Sequence, residues 1–249
     1  MGQNHIIEKL NEADSYSSPA MMARRRRILE ETRKLIAEHG LVGFNLMELC
    51  RRADVAKQTL YYAFGSKEGL VAAAMFDHFE EYERRITYHA PAGSLERLIE
   101  RMVAIGERNL KIPNYVGAIT SFYYSQSAST HMRTMLHDIT TLPQRPYIEA
   151  LHKARQLQPW AEPELLIDAL DDQRISIANQ WIQGRIADEQ MIDRMVTSVL
   201  VYLLGCVRGT ARRHVEGVLT AIAKIGAASY VANLTCATKD QKEADGPSS

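Results

Sequence analysis

Apolar residues recur three and four positions apart along almost the whole of this 249-residue chain, and no segment sustains the every-second-residue alternation of a half-buried strand. That one period restricts the fold to the all-α class. Hydrophobic residues make up 46% of the chain, enough to bury a real core, so disorder and disulfide-stapled scaffolds are excluded. No fixed-length repeat is present, which excludes a solenoid. The longest apolar run, Met195 to Val207, is broken by Thr197 and Ser198 and falls short of the roughly 20 residues that span a bilayer, so no membrane partner is expected.

Local signals divide the N-terminal quarter into four helices. Ile28, Leu35 and Ile36, with Thr32 between them, share one face of a helix over Arg24 to His39, and Gly40 is its stop. Asn45 is placed as the cap of a short second helix, with Leu46, Leu49, Cys50 and Ala53 as its buried stripe. Asp54 stands at a sharp turn, where Asp tolerates a left-handed backbone better than most residues. The third helix, Lys57 to Phe64, turns Leu60 and Phe64 inward. Gly65 breaks the chain, and Ser66 caps a fourth helix running from Lys67 to about His89.

The outward set of the third helix is Lys57, Gln58, Thr59, Tyr61 and Tyr62. A solvated face usually collects Glu, Lys and Ala. A cation, an amide, a hydroxyl and two phenols are instead the groups that reach base edges and phosphates in a major groove. Charge agrees. The chain carries 30 basic and 30 acidic residues, but residues 20–68 hold ten basic against six acidic, while the segments before and after are each net negative. Nucleic-acid contact is therefore expected within 20–68, with Arg24 to Arg27 as an added backbone contact.

Two short helices joined by a tight turn, the second with a polar and aromatic face, form a helix-turn-helix arrangement. Here the sequence resembles the TetR family of bacterial transcription regulators. The resemblance rests on Ile28-Leu29, Ala37-Glu38-His39-Gly40 and the run from Leu49 to Glu68, above all Leu60-Tyr61-Tyr62-Ala63-Phe64-Gly65-Ser66-Lys67-Glu68. It implies that Lys57, Gln58 and Thr59 contact bases and phosphates, that Tyr61 and Tyr62 face the groove, and that Lys67 binds a phosphate at the start of the fourth helix. Three residues depart from the family pattern. Asn45 replaces the usual Thr or Ser cap but keeps a capping oxygen and an amide donor. Asp54 replaces the usual Gly of the turn, and Ala56 replaces a frequent Ser cap.

The expected organisation is a flexible arm over 1–20, a helix-turn-helix head over 21–84, a ligand-binding and dimerisation bundle over 85–237, and a disordered tail over 238–249. Within the bundle the resemblance implies a dimerisation helix pair carrying Ile175, Trp181, Val199, Leu203 and Gly205. A pocket for a small hydrophobic or aromatic effector is expected among Phe122, Tyr123, Gln126, His131, Met135 and Trp160, since aromatic and Met side chains with a few polar groups suit an adaptable site. Each of these could equally be ordinary core. The expected partners are a double-stranded palindromic operator, a small-molecule effector and a second copy of the chain, with the protein acting as a repressor.

A DNA-binding regulator without a ligand, and an all-α enzyme, are the alternatives. Glu149 and His152 make one Glu-x-x-His pair where a di-iron bundle needs two, and no hydrolase, phosphate-loop or dinucleotide motif is present, so no catalytic residue, metal or cofactor is expected. Cys50, Cys206 and Cys236 are far apart and odd in number, which fits buried free thiols, and the first twenty residues lack the apolar core of a secretory signal. A cytoplasmic protein is the expectation.

Overall fold

The computed structural model describes residues 18–124, 134, 137, 138 and 140–244, with side chains through Cys236 in the last stretch. Among these residues there is no strand, and the one β-bridge pairs Leu157 with Val207. The helices are α1 Pro19–His39, α2 Leu46–Ala53, α3 Lys57–Phe64, α4 Lys67–Arg85, α5 Leu95–Lys111 and α6 Pro113–Tyr123, then α7 Arg145–Lys153, α8 Pro163–Ile182, α9 Asp188–Cys206, α10 Gly209–Ile225 and α11 Ala227–Ala244. The chain divides into two compact units at the Glu81/Tyr82 peptide, within α4 and three residues before the expected boundary.

Both ends of the described chain are more helical than expected. The arm was expected to close at Pro19, but Ser18 caps α1 by accepting from the Met21 amide at 3.3 Å, and Pro19 occupies its first turn. Proline suits that position because its missing N–H would be unpaired there anyway. At the other end α11 continues through the expected tail as far as Ala244, because Lys, Gln, Glu and Ala readily extend a helix already nucleated by packing. Residues 1–17 and 245–249 lie outside the described residues.

In the first unit α1 buries Ile28, Leu29, Leu35 and Ile36, and the Thr32 hydroxyl is satisfied by the Ile28 carbonyl at 2.8 Å. Leu49 and Ala53 of α2, Leu60 of α3 and Leu70, Val71, Ala74 and Met75 of α4 complete this core. Arg33 ties α1 to α4 through Asp77 at 2.9 Å and Glu81 at 3.1 Å.

In the second unit α8 and α9 pack along each other, and α5 lies against α9. The approach of α5 needs Gly106, because a Cβ there would stand 2.8 Å from Ile192 Cγ1. Leu98, Ile99, Met102, Ile148, Leu170, Met195 and Leu200 fill the centre. α4 stops at Arg85, short of His89, and the next segment is pinned from outside: the buried Glu100 carboxylate accepts from the His89 and Ala90 amides at 3.1–3.3 Å. Of the cysteines, Cys50 and Cys206 are half-buried and Cys236 is exposed, so the expectation of three buried thiols fails at Cys236.

The residues expected at the dimer interface divide by burial. Ile175, Trp181, Val199 and Leu203 are all buried within a single protomer, and Trp181 also donates through Nε1 to Asp188 at 2.7 Å. Only Gly205 of that set is exposed. The strongest apolar stripe on each helix is the one the protomer itself covers. The uncovered side carries Leu165 on α8 and Val201, Tyr202 and Gly205 on α9.

Candidate nucleic-acid interface

Each helix of the α2–turn–α3 motif is set by short-range chemistry. The Asn45 side-chain oxygen accepts from the Met47 amide at 2.8 Å and the Glu48 amide at 3.4 Å, satisfying two free N–H groups of the first turn. Phe44 before the cap and Leu49 after it are both buried, the two positions of a hydrophobic staple. α2 ends on Asp54 at φ 50° and ψ 58°, the left-handed turn expected there. Ala56 then starts α3 with no side-chain cap.

Replacing Ala56 by Ser is therefore expected to stabilise the first unit by about 1 kcal/mol. Asp54→Gly should act in the same direction but more weakly, since Gly removes the Cβ penalty while freeing the unfolded chain. Thermal melts of the two variants check both, and an unchanged or lowered melting temperature for Ala56→Ser would contradict the missing cap.

α3 is seated by one residue. Leu60 is 3% exposed and is the only buried side chain of the helix. Phe64 is half-buried, with the Arg25 guanidinium 4.8 Å above its ring. Lys57, Gln58, Tyr61 and Tyr62 are exposed and Thr59 is half-buried, so none of the expected base-reading groups is used up in the core. Tyr62 is 91% exposed, which no packing role explains. The Lys57 ammonium lies 5.8 Å from the Tyr61 ring centre, so the cation and the phenol one turn apart lean on the same side.

Lys67 stands where two helix starts converge. Its ammonium donates to the Phe44 carbonyl at 3.1 Å, just before the α2 cap, and lies 5.3 Å from the Phe44 ring centre. Ser66 caps α4 by accepting from the Gly69 amide at 2.9 Å. The partial positive charges of two helix N-termini and an ammonium thus share one place, a combination that suits a phosphate.

Four arginines of α1 divide their roles in a way the sequence does not announce. Arg27 donates through Nε to the Ala53 carbonyl at 2.9 Å, closing the C-terminus of α2, and Arg25 covers Phe64, whereas Arg24 and Arg26 are exposed. On α2, Arg51 and Arg52 are engaged by acids: Glu48 accepts from both, and Glu38 accepts from Arg52 at 2.8 Å. Hydrogen bonds from Arg51 and then Arg52 hold the Glu48 carboxyl down at about 2, and Arg52 likewise lowers Glu38. Because both folded-state values lie below the ordinary 4.5, this stabilisation is full above pH 4.5 and disappears as pH falls from there towards 2. A Glu48→Gln variant should show a shallower loss of melting temperature over that window. An equal slope would remove Glu48 from the acid response.

The expected pocket residues separate. Phe122 is buried on α6, and half-buried Tyr123 donates to Asp172 at 2.7 Å; burial and then that bond push its phenol above the ordinary value. Gln126, His131 and Met135 lie outside the described residues. Trp160 is not an interior residue: it is 71% exposed. Leu157, which bridges to Val207, is buried, while Trp160 three residues on stands at the surface. Among the described residues no group of three His, Cys, Asp or Glu side chains is placed to hold a metal, and no single helix is long and apolar enough to cross a membrane.

Residues 28–74 match the profile of the bacterial regulatory proteins, tetR family. Over 190 residues the chain is 25% identical to the HTH-type transcriptional repressor KstR of Rhodococcus jostii, covering 76% of this chain and 87% of that protein. It is 33% identical over 63 residues to the HTH-type transcriptional repressor NemR of Escherichia coli, 25% of this chain and 32% of that one. In fold it is similar to a TetR transcriptional regulator from Rhodococcus sp. RHA1, with a TM-score of 0.58 and 22% identity over 74% of this chain and 97% of the other. Capped α2, the left-handed turn at Asp54 and the exposed face of α3 all fall inside this segment, so residues 28–74 are what the chain shares with the bacterial regulatory proteins, tetR family.

Proposed function

We propose that the chain is a homodimeric transcriptional repressor that binds a palindromic operator through α3 and is released when a small-molecule effector enters the bundle of the second unit. It acts by binding, inside the cytoplasm, with no cofactor. The observation that carries this reading is the face of α3, where a base-reading set of side chains is left exposed on a helix seated by Leu60 alone. Lys57, Gln58, Thr59, Tyr61 and Tyr62 enter the major groove. Asn45, its oxygen committed to the cap, offers its amide nitrogen to a phosphate, and Lys67 binds another.

The dimer forms through the uncovered side of α8 and α9, where Leu165, Val201 and Tyr202 are exposed apolar groups and Gly205 allows close approach. Two-fold symmetry then presents two copies of α3 to half-sites about 34 Å apart. An effector shifts the protein off DNA only to the extent that it binds the released state more tightly than the bound one.

Lys67→Ala tests the phosphate assignment. It should weaken binding to every duplex alike and lower the slope of log affinity against log salt by about one per protomer; a loss confined to the operator would contradict it. Gln58→Ala should instead relax preference at one symmetric pair of positions, each worth about 1–3 kcal/mol, because an amide pairs bidentately with adenine. Unchanged base preference would remove Gln58 from the reading set.

A further inference from the structure

The net negative charge after residue 68 conceals a basic patch in the second unit. Residues 150–160 hold Lys153 and Arg155, residues 205–215 hold Arg208, Arg212 and Arg213, and neither stretch contains an acid. The fold binds these two stretches side by side. The Arg208 amide donates to the Gln156 carbonyl and the Gln158 amide to the Cys206 carbonyl, both at 2.8 Å, and Gln156 Nε2 donates to Thr210 Oγ1 at 2.6 Å. Lys153, Arg155, Arg208, Arg212 and Arg213 are all exposed, as are His152 and His214.

Little acid reaches the patch from elsewhere. Among the described residues, Arg212 alone of the five cations has a carboxylate partner, Glu216 at 3.1 Å, while Glu96 of α5 is taken up by His214 at 2.7 Å. Arg155 stands at φ 54°, a left-handed position after α7 that Gly or Asn would fill with less strain, so the turn keeps a cation at a conformational cost. Its carbonyl accepts from Arg208 Nε at 3.1 Å, joining the two stretches once more. Arg208 precedes the first turn of α10 and gives it no side-chain cap, so the free N–H groups of that turn add a partial positive charge.

Cations gathered without acids repel one another and attract a polyanion. Burial decides which kind. Leu151, Leu157, Val207 and Val215 of the two stretches are buried, and Trp160 is their one exposed large apolar group. The patch therefore offers charge, and lacks both the apolar face that enters a membrane surface and the apolar centre of a protein interface. Four of the five cations are arginines, whose planar fork matches phosphate oxygens. A chain whose α3 suits a major groove meets phosphates in long arrays.

We infer that this patch is a second DNA surface, which holds the phosphodiester backbone of duplex outside the operator without reading its sequence. It goes beyond the operator reading and does not depend on α3.

The test uses the full chain saturated with a short unlabelled operator, which occupies α3. A fluorescent non-operator duplex is then titrated in while its anisotropy is followed. Its Kd should lie at about 10⁻⁶–10⁻⁴ M near physiological salt, and binding should weaken steeply between about 50 and 200 mM. Lys153→Glu combined with Arg213→Glu should weaken this binding about tenfold or more and lower the slope of log affinity against log salt by about two per protomer. The melting temperature of this double variant and its affinity for the short operator should stay those of the parent.

Equal binding by parent and double variant, or no binding of the labelled duplex by the saturated parent, would overturn the assignment. Displacement by polyglutamate as effective, charge for charge, as by unlabelled duplex would overturn it in favour of an acidic protein. Binding to phosphatidylserine vesicles without binding to duplex would overturn it in favour of a membrane surface. If no operator is found, the operator reading fails by itself; parent and double variant are then compared directly on the non-operator duplex, where the difference in slope still decides the patch.

Discussion

Leu60→Ala is expected to unfold the DNA-reading unit while leaving the second unit intact. Leu60 is the only buried side chain of α3, so its truncation removes the contact that seats the helix rather than one of several. Large-to-small changes of this kind cost about 2–5 kcal/mol, a large share of the roughly 5–15 kcal/mol that holds a domain together. Both tryptophans, Trp160 and Trp181, lie after the Glu81/Tyr82 division, so tryptophan fluorescence reports the second unit and helical circular dichroism reports both. Part of the helical signal should melt early, the Trp transition should stay near its original temperature, and DNA binding should be lost. A variant that binds DNA as the parent does would remove Leu60 as the residue that positions α3.

Leu203→Ala and Val201→Arg should separate the protomer core from the dimer face, although the two residues are two positions apart on α9. Leu203 is fully buried, and truncating it should cost about 2–5 kcal/mol, lowering the melting temperature by about 5–15 °C. Val201 is 56% exposed, and a guanidinium there meets its own charge across a two-fold axis, so the expected product is a folded monomer in sedimentation. If Leu203→Ala dissociated the dimer without lowering stability while Val201→Arg did nothing, the interface would run through Ile175, Trp181, Val199 and Leu203 after all.

The head was legible because its signals are local. The Asn45 cap, the Gly40 stop, the turn at Asp54, the missing cap at Ala56 and the outward set of α3 each depend on a few neighbouring residues, and each stands where the sequence puts it. The bundle was less legible because periodicity shows that a helix has a buried stripe but not what buries it. Trp181, Val199 and Leu203 have the pattern of an interface and are buried by their own chain.

Trp160 has the makeup of a pocket group but stands at the surface, three residues after Leu157, which bridges to Val207 fifty residues further on. Bracing by Arg25 and Arg27 and the anchoring of Lys67 on the Phe44 carbonyl join residues distant in sequence, so no spacing announces them. The buried Asp171–Arg174 ion pair of α8 was also hidden, because a charge on an amphipathic helix reads as solvated until its burial is known.

The central claim, that α3 reads a specific palindrome as part of a dimer, is met most directly by selecting bound duplexes from a random DNA pool with the full chain near physiological salt, then sequencing them. The account predicts enrichment of one inverted repeat with half-sites one helical turn apart, about 34 Å. Bound pools that stay random, from protein shown to be folded and dimeric, would contradict it.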